Sequence, residues 1–476
     1  MNHFVESSTK KFVNKNLFLV LLSFFTVFAA MAQDSTVSLS VKEAVDYANK
    51  NSVQVRNSLI GIELQRAQNK EITASAFPQV TGSVSANYYP NVAVQRFPNF
   101  IAAATYGVLA QEGVKDGTGA TIVPPSDFGF VEAQFGTKYI ASGGVDLSQL
   151  LFDGQVFVGL QARSTAIAFA TKSAEVAQEQ IKANVHKIYY QILAGRQQIS
   201  TIDANIKRFE QLLNDTREIY KNGFAEKLDV SKAEVSLTNL RTERLKIQNQ
   251  LENAMVGLKV LIGMPVNRSV VLTDSLPEEI YSQELIETQF NYNERPEYEQ
   301  LALSKKLNEY NVRRYKLSYL PSVSLSGSYY KVAQRNEFNF FKRNEPWFPS
   351  SAVGLRINVP IFDGLAKAAK VRAARLQLEQ TNNNIENLEL SIDQEIANAR
   401  NGMRSAVATM EYQKKNMELA EEVYNQTKLK YEQGLGSNLE ITNSQAELTT
   451  AQNNYYAALY DAIIARVDYL RATGKL

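Results

Sequence analysis

The segment Leu151-Phe152-Asp153-Gly154 returns, weakly changed, as Ile361-Phe362-Asp363-Gly364, an offset of 210 residues. Tyr220-Lys221-Asn222-Gly223-Phe224 returns as Tyr431-Glu432-Gln433-Gly434-Leu435, and Leu261-Ile262-Gly263 lines up with Ala472-Thr473-Gly474, both at offset 211. A self-similarity of this length fixes architecture before any local reading. Two copies of one long unit make up most of the chain, so a single elongated body with internal pseudo-twofold symmetry is expected rather than unrelated domains.

Each copy opens with short alternating runs. Val323, Leu325 and Tyr329 alternate with Ser324, Ser326 and Ser328. Val80, Val84, Ala86 and Tyr88 alternate with Gln79, Thr81, Ser83, Ser85 and Asn87. Val353, Leu355, Ile357 and Val359 alternate with Gly354, Arg356 and Asn358, and a weaker run sets Val145 and Leu147 against Gly144, Asp146 and Ser148. Period two means strands with one apolar and one polar face, as in a strand of an outer-membrane barrel. Strands are expected at about 78–90, 139–151, 321–331 and 351–361.

The second part of each copy is helical and long. No proline lies between Pro125 and Pro265, or after Pro360. A helix running from residue 155 to the Gly223 turn would reach roughly 100 Å, too long for a globular core. Leu237, Leu240, Ile247, Leu251, Ala254, Leu258 and Leu261 step by threes and fours, with Arg244 as a polar break. Leu448, Ala451, Tyr455, Ala458, Ala462, Ala465, Tyr469 and Ala472 do the same. These are coiled-coil seams. Helix pairs are expected at about 155–262 and 365–472.

Lys10, Lys11 and Lys15 precede an apolar run over 17–30 and then Ala30-Met31-Ala32. That order reads as a secretory signal peptide over 1–32. Its removal takes three lysines and Glu6, leaving 48 basic and 48 acidic side chains. A neutral chain gives no footprint for nucleic acid. The chain has no cysteine, which excludes disulfides and thiol chemistry. No later run reaches the length of a membrane helix. Any crossing must therefore be by strands. Four strands cannot close a barrel, and an open sheet edge is not tolerated in lipid, so the protomer must oligomerise.

The tandem units, the phrase Val359-Pro360-Ile361-Phe362-Asp363-Gly364, and the segment from Tyr431 through Gly434, Leu435 and Gly436 to Glu440 resemble the TolC-like outer-membrane efflux and secretion channels. The resemblance covers about residues 38–474. It implies a mainly α protein with a transmembrane β-barrel. In such a homotrimer, four strands per protomer build a twelve-stranded barrel in outer-membrane lipid, continued by a coiled-coil tunnel through the periplasm of a Gram-negative bacterium. The implied organisation is a first repeat over 33–265, an equatorial segment over 266–296 and a second repeat over 297–476. The implied function is a passive exit duct, opened at its periplasmic tip by a periplasmic adaptor (a membrane fusion protein) and an inner-membrane pump.

The same resemblance places the adaptor-docking turns at Gly223, Phe224, Ala225 and at Gly434, Leu435, Gly436. It places the periplasmic gate at Asp229, Tyr431 and Glu440, with a tyrosine–aspartate hydrogen bond between the two turns. Where relatives carry an arginine and a further carboxylate this chain has Gly436 and Asn443, so reduced or rewired gate bonding is expected. The alternative reading of Asp229 and Glu440 is local. Both fall in a first helical turn, where the macrodipole favours a carboxylate. Asp146 and Arg356 are expected to face the barrel lumen, where charge is tolerated. Residues 91–127 read as an irregular loop rich in glycine and proline. Its counterpart over 331–350 carries Phe338, Phe340, Phe341, Trp347 and Phe348, an aromatic girdle or loop packing.

Catalysis finds little support. Beyond the leader the one histidine is His186, on a helical stretch, and no phosphate loop, zinc-protease helix or nucleophile elbow occurs. No cofactor or metal is expected. The competing reading is a periplasmic coiled-coil adaptor or scaffold without a channel. It needs one hairpin rather than two, and it leaves the four amphipathic strands unexplained.

Overall fold

The computed structural model describes residues 36–277 and 290–476. The expected leader lies outside these residues, as do positions 278–289 of the expected equatorial segment. In order, the elements are β1 (Val37–Leu39), α1 (Val41–Asn51), α2 (Val53–Ala74), β2 (Gln79–Tyr88), β3 (Val94–Pro98), α3 (Phe100–Gln111), β4 (Phe130–Gln134), β5 (Tyr139–Phe152), α4 (Gly154–Lys221) and α5 (Lys227–Ile262). There follow β6 (Val270–Leu272), α6 (Pro296–Leu317), β7 (Ser322–Arg335), β8 (Phe348–Asn358), α7 (Ala366–Glu432) and α8 (Asn438–Ala472). Two compact units result, one over residues 67–163 and 308–376, the other formed by the remaining described residues. No helix among the described residues is long and apolar enough to cross a membrane.

The sheet unit is built on one antiparallel sheet in the order β2-β5-β7-β8. Its register keeps polar residues in common rows: Thr81, Asp146, Ser328 and Ala352 form one, Gln79, Ser148, Ser326 and Gly354 another. On the opposite face Val80, Leu147, Gly327 and Val353 share a row, as do Ala86, Ala141 and Ala333. A one-residue slip would exchange the faces, so the alternation itself fixes register. β7 runs four residues beyond its expected end, to Arg335. That arginine is almost buried and donates to the Pro346 carbonyl at 2.7 Å, tying the loop after β7 to the sheet. β8 stops at Asn358 instead of 361. Pro360 follows and has no N–H for a ladder.

Residues 91–127, expected to be irregular, contain most of a folded module. β3 pairs antiparallel with β4, and α3 sits between them, capped by the Asn99 side chain accepting from Ala102 N at 3.0 Å. The loop reading rests on Gly113, Gly117, Gly119, Pro124 and Pro125, which all follow the helix; within its twelve residues only Gly107 is a glycine. In the counterpart loop Phe340 packs on Ala141 and Ala333, whereas Phe338, Phe341 and Phe348 stay exposed. Tyr88 stacks on Tyr139 at 4.8 Å and Phe338 meets Tyr139 edge-on at 5.9 Å, so this end of the sheet is aromatic.

The repeated Phe-Asp-Gly phrase has a local role in both copies. Asp153 Oδ1 accepts from Gln155 N at 2.7 Å, and Asp363 Oδ2 accepts from Lys367 N at 3.0 Å. Each aspartate satisfies an orphan amide at the start of a long helix. Those helices, α4 and α7, run for 68 and 67 residues, roughly 100 Å each.

In the helical unit the seams are buried where threes and fours meet. Leu237, Leu240, Ile247 and Leu258 of α5 and Leu448, Ala451, Ala458, Ala462, Tyr469 and Ala472 of α8 are all buried. Arg244, the expected polar break, donates from Nε to Asp203 of α4 at 2.6 Å, so the break becomes an interhelix ion pair. One core joins α1, α4, α5 and the parallel β1·β6 pair, with Tyr189 fully buried at its centre. The Tyr189 hydroxyl donates to the Leu39 carbonyl at 2.9 Å and accepts from Asp274 N at 3.3 Å. Burial pushes its pKa up to about 12.

The glycines of the third repeated phrase end α5 and α8 in the left-handed region, with φ of 77° at Gly263 and 70° at Gly474. A Cβ on Gly263 would lie 2.2 Å from the Asn51 carbonyl oxygen, and one on Gly474 would lie 2.5 Å from that of Glu294. Neither backbone can yield cheaply.

Gly263→Ala is therefore expected to cost at least about 2 kcal/mol, combining the left-handed penalty with backbone overlap; urea unfolding followed by circular dichroism measures it. Tyr189 is neutral in the fold, and its folded pKa exceeds the ordinary value near 10. Its contribution is complete below pH 10 and is lost as pH rises from 10 toward about 12. An alkaline titration of thermal stability should show that loss in the wild type and a smaller one in Tyr189→Phe.

Candidate functional site

Two places gather the residues singled out in the sequence: the helical turns and the polar face of the sheet. At the first turn Gly223 has φ 81°, its N–H donates to the Tyr220 carbonyl at 3.0 Å, and Phe224 N donates to Ile219 O at 3.0 Å. At the second Gly434 has φ 73°, donating to Tyr431 O at 3.0 Å, with Leu435 N to Lys430 O at 2.9 Å. Both are Schellman caps, the geometry in which glycine closes a helix. The residue after the glycine normally packs back on its own helix. Here Phe224 is 86% and Leu435 74% exposed. Each repeat therefore presents one apolar side chain outward from a rigid turn. Ala225 is half-buried, and Gly436 is held against Lys430 and Tyr431, its N–H bonded to Lys430 O at 3.1 Å.

Asp229 and Glu440 occupy the same helical position in α5 and α8, the third residue after the cap. Asp229 Oδ2 accepts from Glu226 N at 3.2 Å, one half of a capping box. Glu440 N donates to Ser437 Oγ at 3.2 Å, and its carboxylate lies 4.0 Å from Lys430 Nζ. Tyr431 is not brought to Asp229 within the chain. Its hydroxyl lies 3.4 Å from that of Thr216, which donates to Leu212 O at 2.8 Å, so Tyr431 is the donor to Thr216. Within the chain Tyr431 thus makes a tyrosine–threonine contact between α4 and α7. Phe209, Leu212, Leu213, Leu237, Tyr424 and Ile441 pack beside it. Beside Tyr431 and Tyr424 lies a cavity of about 230 Å³ flanked by Arg208, Asp215, Lys428 and Glu432.

A ladder of amides that sequence reasoning missed joins α4 to α8. Asn205 is buried and donates to Gln452 Oε1 at 2.7 Å, while Gln445 Nε2 approaches Asn205 Oδ1 at 3.5 Å. Gln198 donates to Asn453 at 3.0 Å, and the Thr201 and Tyr456 hydroxyls meet at 2.9 Å. The signal was present: Gln445 and Gln452 fall on the same three-and-four steps as Leu448 and Tyr455. Buried polar pairs at a seam fix register more than they add stability.

On the sheet, Asp146 and Arg356 lie on the polar face, in different rows. Asp146 is opposite Ser328 and Arg356 opposite Ser324, four residues away along β7, or about 13 Å. They do not meet within one chain. Asp146 is instead bonded by the Tyr330 hydroxyl, which also lies 3.0 Å from Ser83 Oγ. Tyr330 reaches β2 because the residue opposite it on β5 is Gly144. A Cβ there would lie 2.6 Å from the Tyr330 ring and 2.2 Å from the Tyr329 carbonyl oxygen. His186, the lone histidine of the expected mature chain, sits on α4 beside Tyr190, and burial with Lys182 nearby pulls its pKa down.

A sequence profile of the family described as outer membrane efflux protein matches residues 44–264 and 292–475. Protein CyaE of Bordetella pertussis is 22% identical over 93% of this chain and 85% of its own length. The probable efflux pump outer membrane protein TtgC of Pseudomonas putida is 20% identical over 91% and 83%. Among solved structures, the Campylobacter jejuni CmeC outer membrane channel gives a TM-score of 0.69 at 17% identity, covering 91% of this chain and 85% of that one. The Vibrio cholerae outer membrane protein VceC gives 0.68 at 15% identity, covering 91% and 96%. At these identities the structural likeness speaks for the fold.

Gly144→Ala is expected to expel Tyr330 from the Asp146–Ser83 contact and destabilise the sheet by about 2–3 kcal/mol. A lower temperature for loss of the folded band in unheated gel samples would report it, with Gly143→Ala, whose Cβ meets only Val84 at 3.6 Å, as the mild control.

Proposed function

Because the chain belongs to the outer membrane efflux protein family, we propose that it is a passive exit duct in the outer membrane, in which three copies close one twelve-stranded barrel and their helices form a periplasmic tunnel. The observation that carries this reading is the open sheet. Four amphipathic strands end in two free edges, β2 and β8, and every residue of both edge strands is exposed. Unpaired backbone groups are too costly in lipid, so each edge needs a strand from another copy. Three sets of four strands suffice for a closed barrel. The polar rows then line the lumen, with Asp146 and Arg356 among them, and the aromatic end of the apolar face meets the outer interface.

The helical tips supply the gate and the docking surface. Phe224 and Leu435, exposed on equivalent capped turns, suit an apolar groove or helix of a periplasmic adaptor coupled to an inner-membrane pump. Tyr431, Asp229 and Glu440 sit at those turns, and copies of the two carboxylates around a threefold axis would favour cations. The duct itself performs no chemistry and takes its driving force from the pump.

Single-channel conductance of the purified protein in planar bilayers tests this. Wild type is expected to conduct weakly and Asp229→Ala several-fold more. Asp229→Asn keeps a capping side chain but no charge, so it separates gating by charge from fraying of α5. Equal, large conductance in all three would remove Asp229 from the gate. No conductance from correctly inserted protein would sink the duct in favour of an adaptor or scaffold.

A further inference from the structure

The internal repeat extends to the strands at two offsets. α2 and β2 superpose in sequence on α6 and β7 with a shift of 243, since both helices end, at Ala74 and Leu317, five residues before strands that begin at Gln79 and Ser322. The close approach of Gly263 to Asn51 and of Gly474 to Glu294 obeys the same shift, Asn51 mapping to Glu294. β5 maps to β8 with the shift of 210 that relates Phe152 to Phe362. Within the chain β5 and β7 are paired, and their register is fully determined: Leu147 faces Gly327, Val145 faces Tyr329 and Ser142 faces Val332. The corresponding pair in the repeat is β8 with β2, which lie at opposite edges of the sheet and cannot meet in one chain.

We infer that β8 of one copy pairs with β2 of the next in the register that β5 and β7 already use. This rests on the three-copy closure proposed above and specifies its seam. Arg356 then lies opposite Ser85 of the next copy, Asn358 opposite Ser83 and Gly354 opposite Asn87, all on the polar face. On the other face Ile357 meets Val84, Leu355 meets Ala86 and Val353 meets Tyr88 of the next copy. Each of these residues is exposed in the single chain, Val84 at 88% and Val353 at 84%. Polar meets polar and apolar meets apolar throughout, although the shifts of 243 and 210 come from helix ends and the Phe-Asp-Gly phrase alone. An odd slip would set Arg356 among the valines.

The local structure after β8 agrees. In the first copy the strand continues through a register shift at Leu150 to Phe152, which faces Val323, and Gly154 packs on Leu317. In the second copy the same phrase is unpaired. Ile361 is 94% and Phe362 82% exposed, a Cβ on Gly364 would meet nothing within 4 Å, and Leu365 has φ 69°. Leu365 is the only non-glycine residue with positive φ among the described residues. A leucine held there costs free energy that the equivalent Gln155, inside a helix, does not bear. Pairing extends β8 so that Phe362 faces Val80 of the next copy and Gly364 approaches Ala74 at the end of its α2. The assembled segment then takes the first copy's conformation and Leu365 enters the helix.

The absence of cysteine makes the seam directly testable. Paired Cα atoms in an antiparallel ladder are about 4.5–5.5 Å apart, within disulfide reach. Ser85→Cys with Arg356→Cys in one chain, oxidised in outer-membrane vesicles, should convert most of the protein to a reducible trimer-sized band. Ala86→Cys with Leu355→Cys should do the same, guarding against a defect of either double variant. Crosslinking through Ser83→Cys or Asn87→Cys with Arg356→Cys, instead of Ser85→Cys, would overturn the register and leave three-copy closure standing. No crosslink from any pair, in protein that is inserted and protease-resistant, would overturn the seam and the closure together. Val80→Cys with Phe362→Cys should also crosslink; its failure beside success at 85 and 356 would overturn the extension of β8.

Discussion

Everything in the sheet unit depends on backbone hydrogen bonds that one chain cannot complete. A strand in lipid has no water to fall back on, so an unpaired edge carries a penalty of several kcal/mol for each exposed group. The four-stranded sheet has a full complement of interior pairs and two edges with none. In the duct proposed above, that deficit makes self-association a condition of membrane insertion rather than an added property.

The helical unit solves a different problem, that of holding long helices in one register without a wide core. Small and aliphatic seam residues give close approach, while the Asn205–Gln452 amides and the Arg244–Asp203 ion pair discriminate against sliding. A shift by one turn would leave the buried Asn205 and Gln452 amides without partners, which costs more than the contacts themselves contribute. The same economy appears at the tips. Glycine caps fix the turns, leaving Phe224 and Leu435 displayed on a frame with little freedom to lose.

Much of this was legible in the sequence. Alternation located the strands because each has one polar and one apolar face, and the three-and-four steps located seams in which Leu237, Leu240, Leu258 and Leu448 are buried. The repeated Gly223 and Gly434 marked the turns because only a left-handed residue closes those helices cheaply. What was not legible depends on register or on competing local signals. The bond from Tyr330 to Asp146 requires knowing that Gly144 lies opposite Tyr330. The Tyr431–Thr216 contact joins residues on different long helices whose axial alignment no single sequence displays. α3 lay hidden among residues whose glycines and prolines suggest a loop, and β8 ends early because Pro360 interrupts a run whose alternation continues to Val359 and beyond.

The β3–α3–β4 module has one more consequence. The shift between copies is 243 before this module and 210 after it, so its insertion accounts for the whole difference, and it does so between two strands whose pairing is unaffected. Tyr88 still faces Tyr139 across the base of an excursion of 50 residues. Sheet closure and loop content are thus separate inheritances. The segment beyond Tyr88 can lengthen, shorten or change its face without moving a single row of the pore, which gives the protein a surface free to diversify above a conduit that is not.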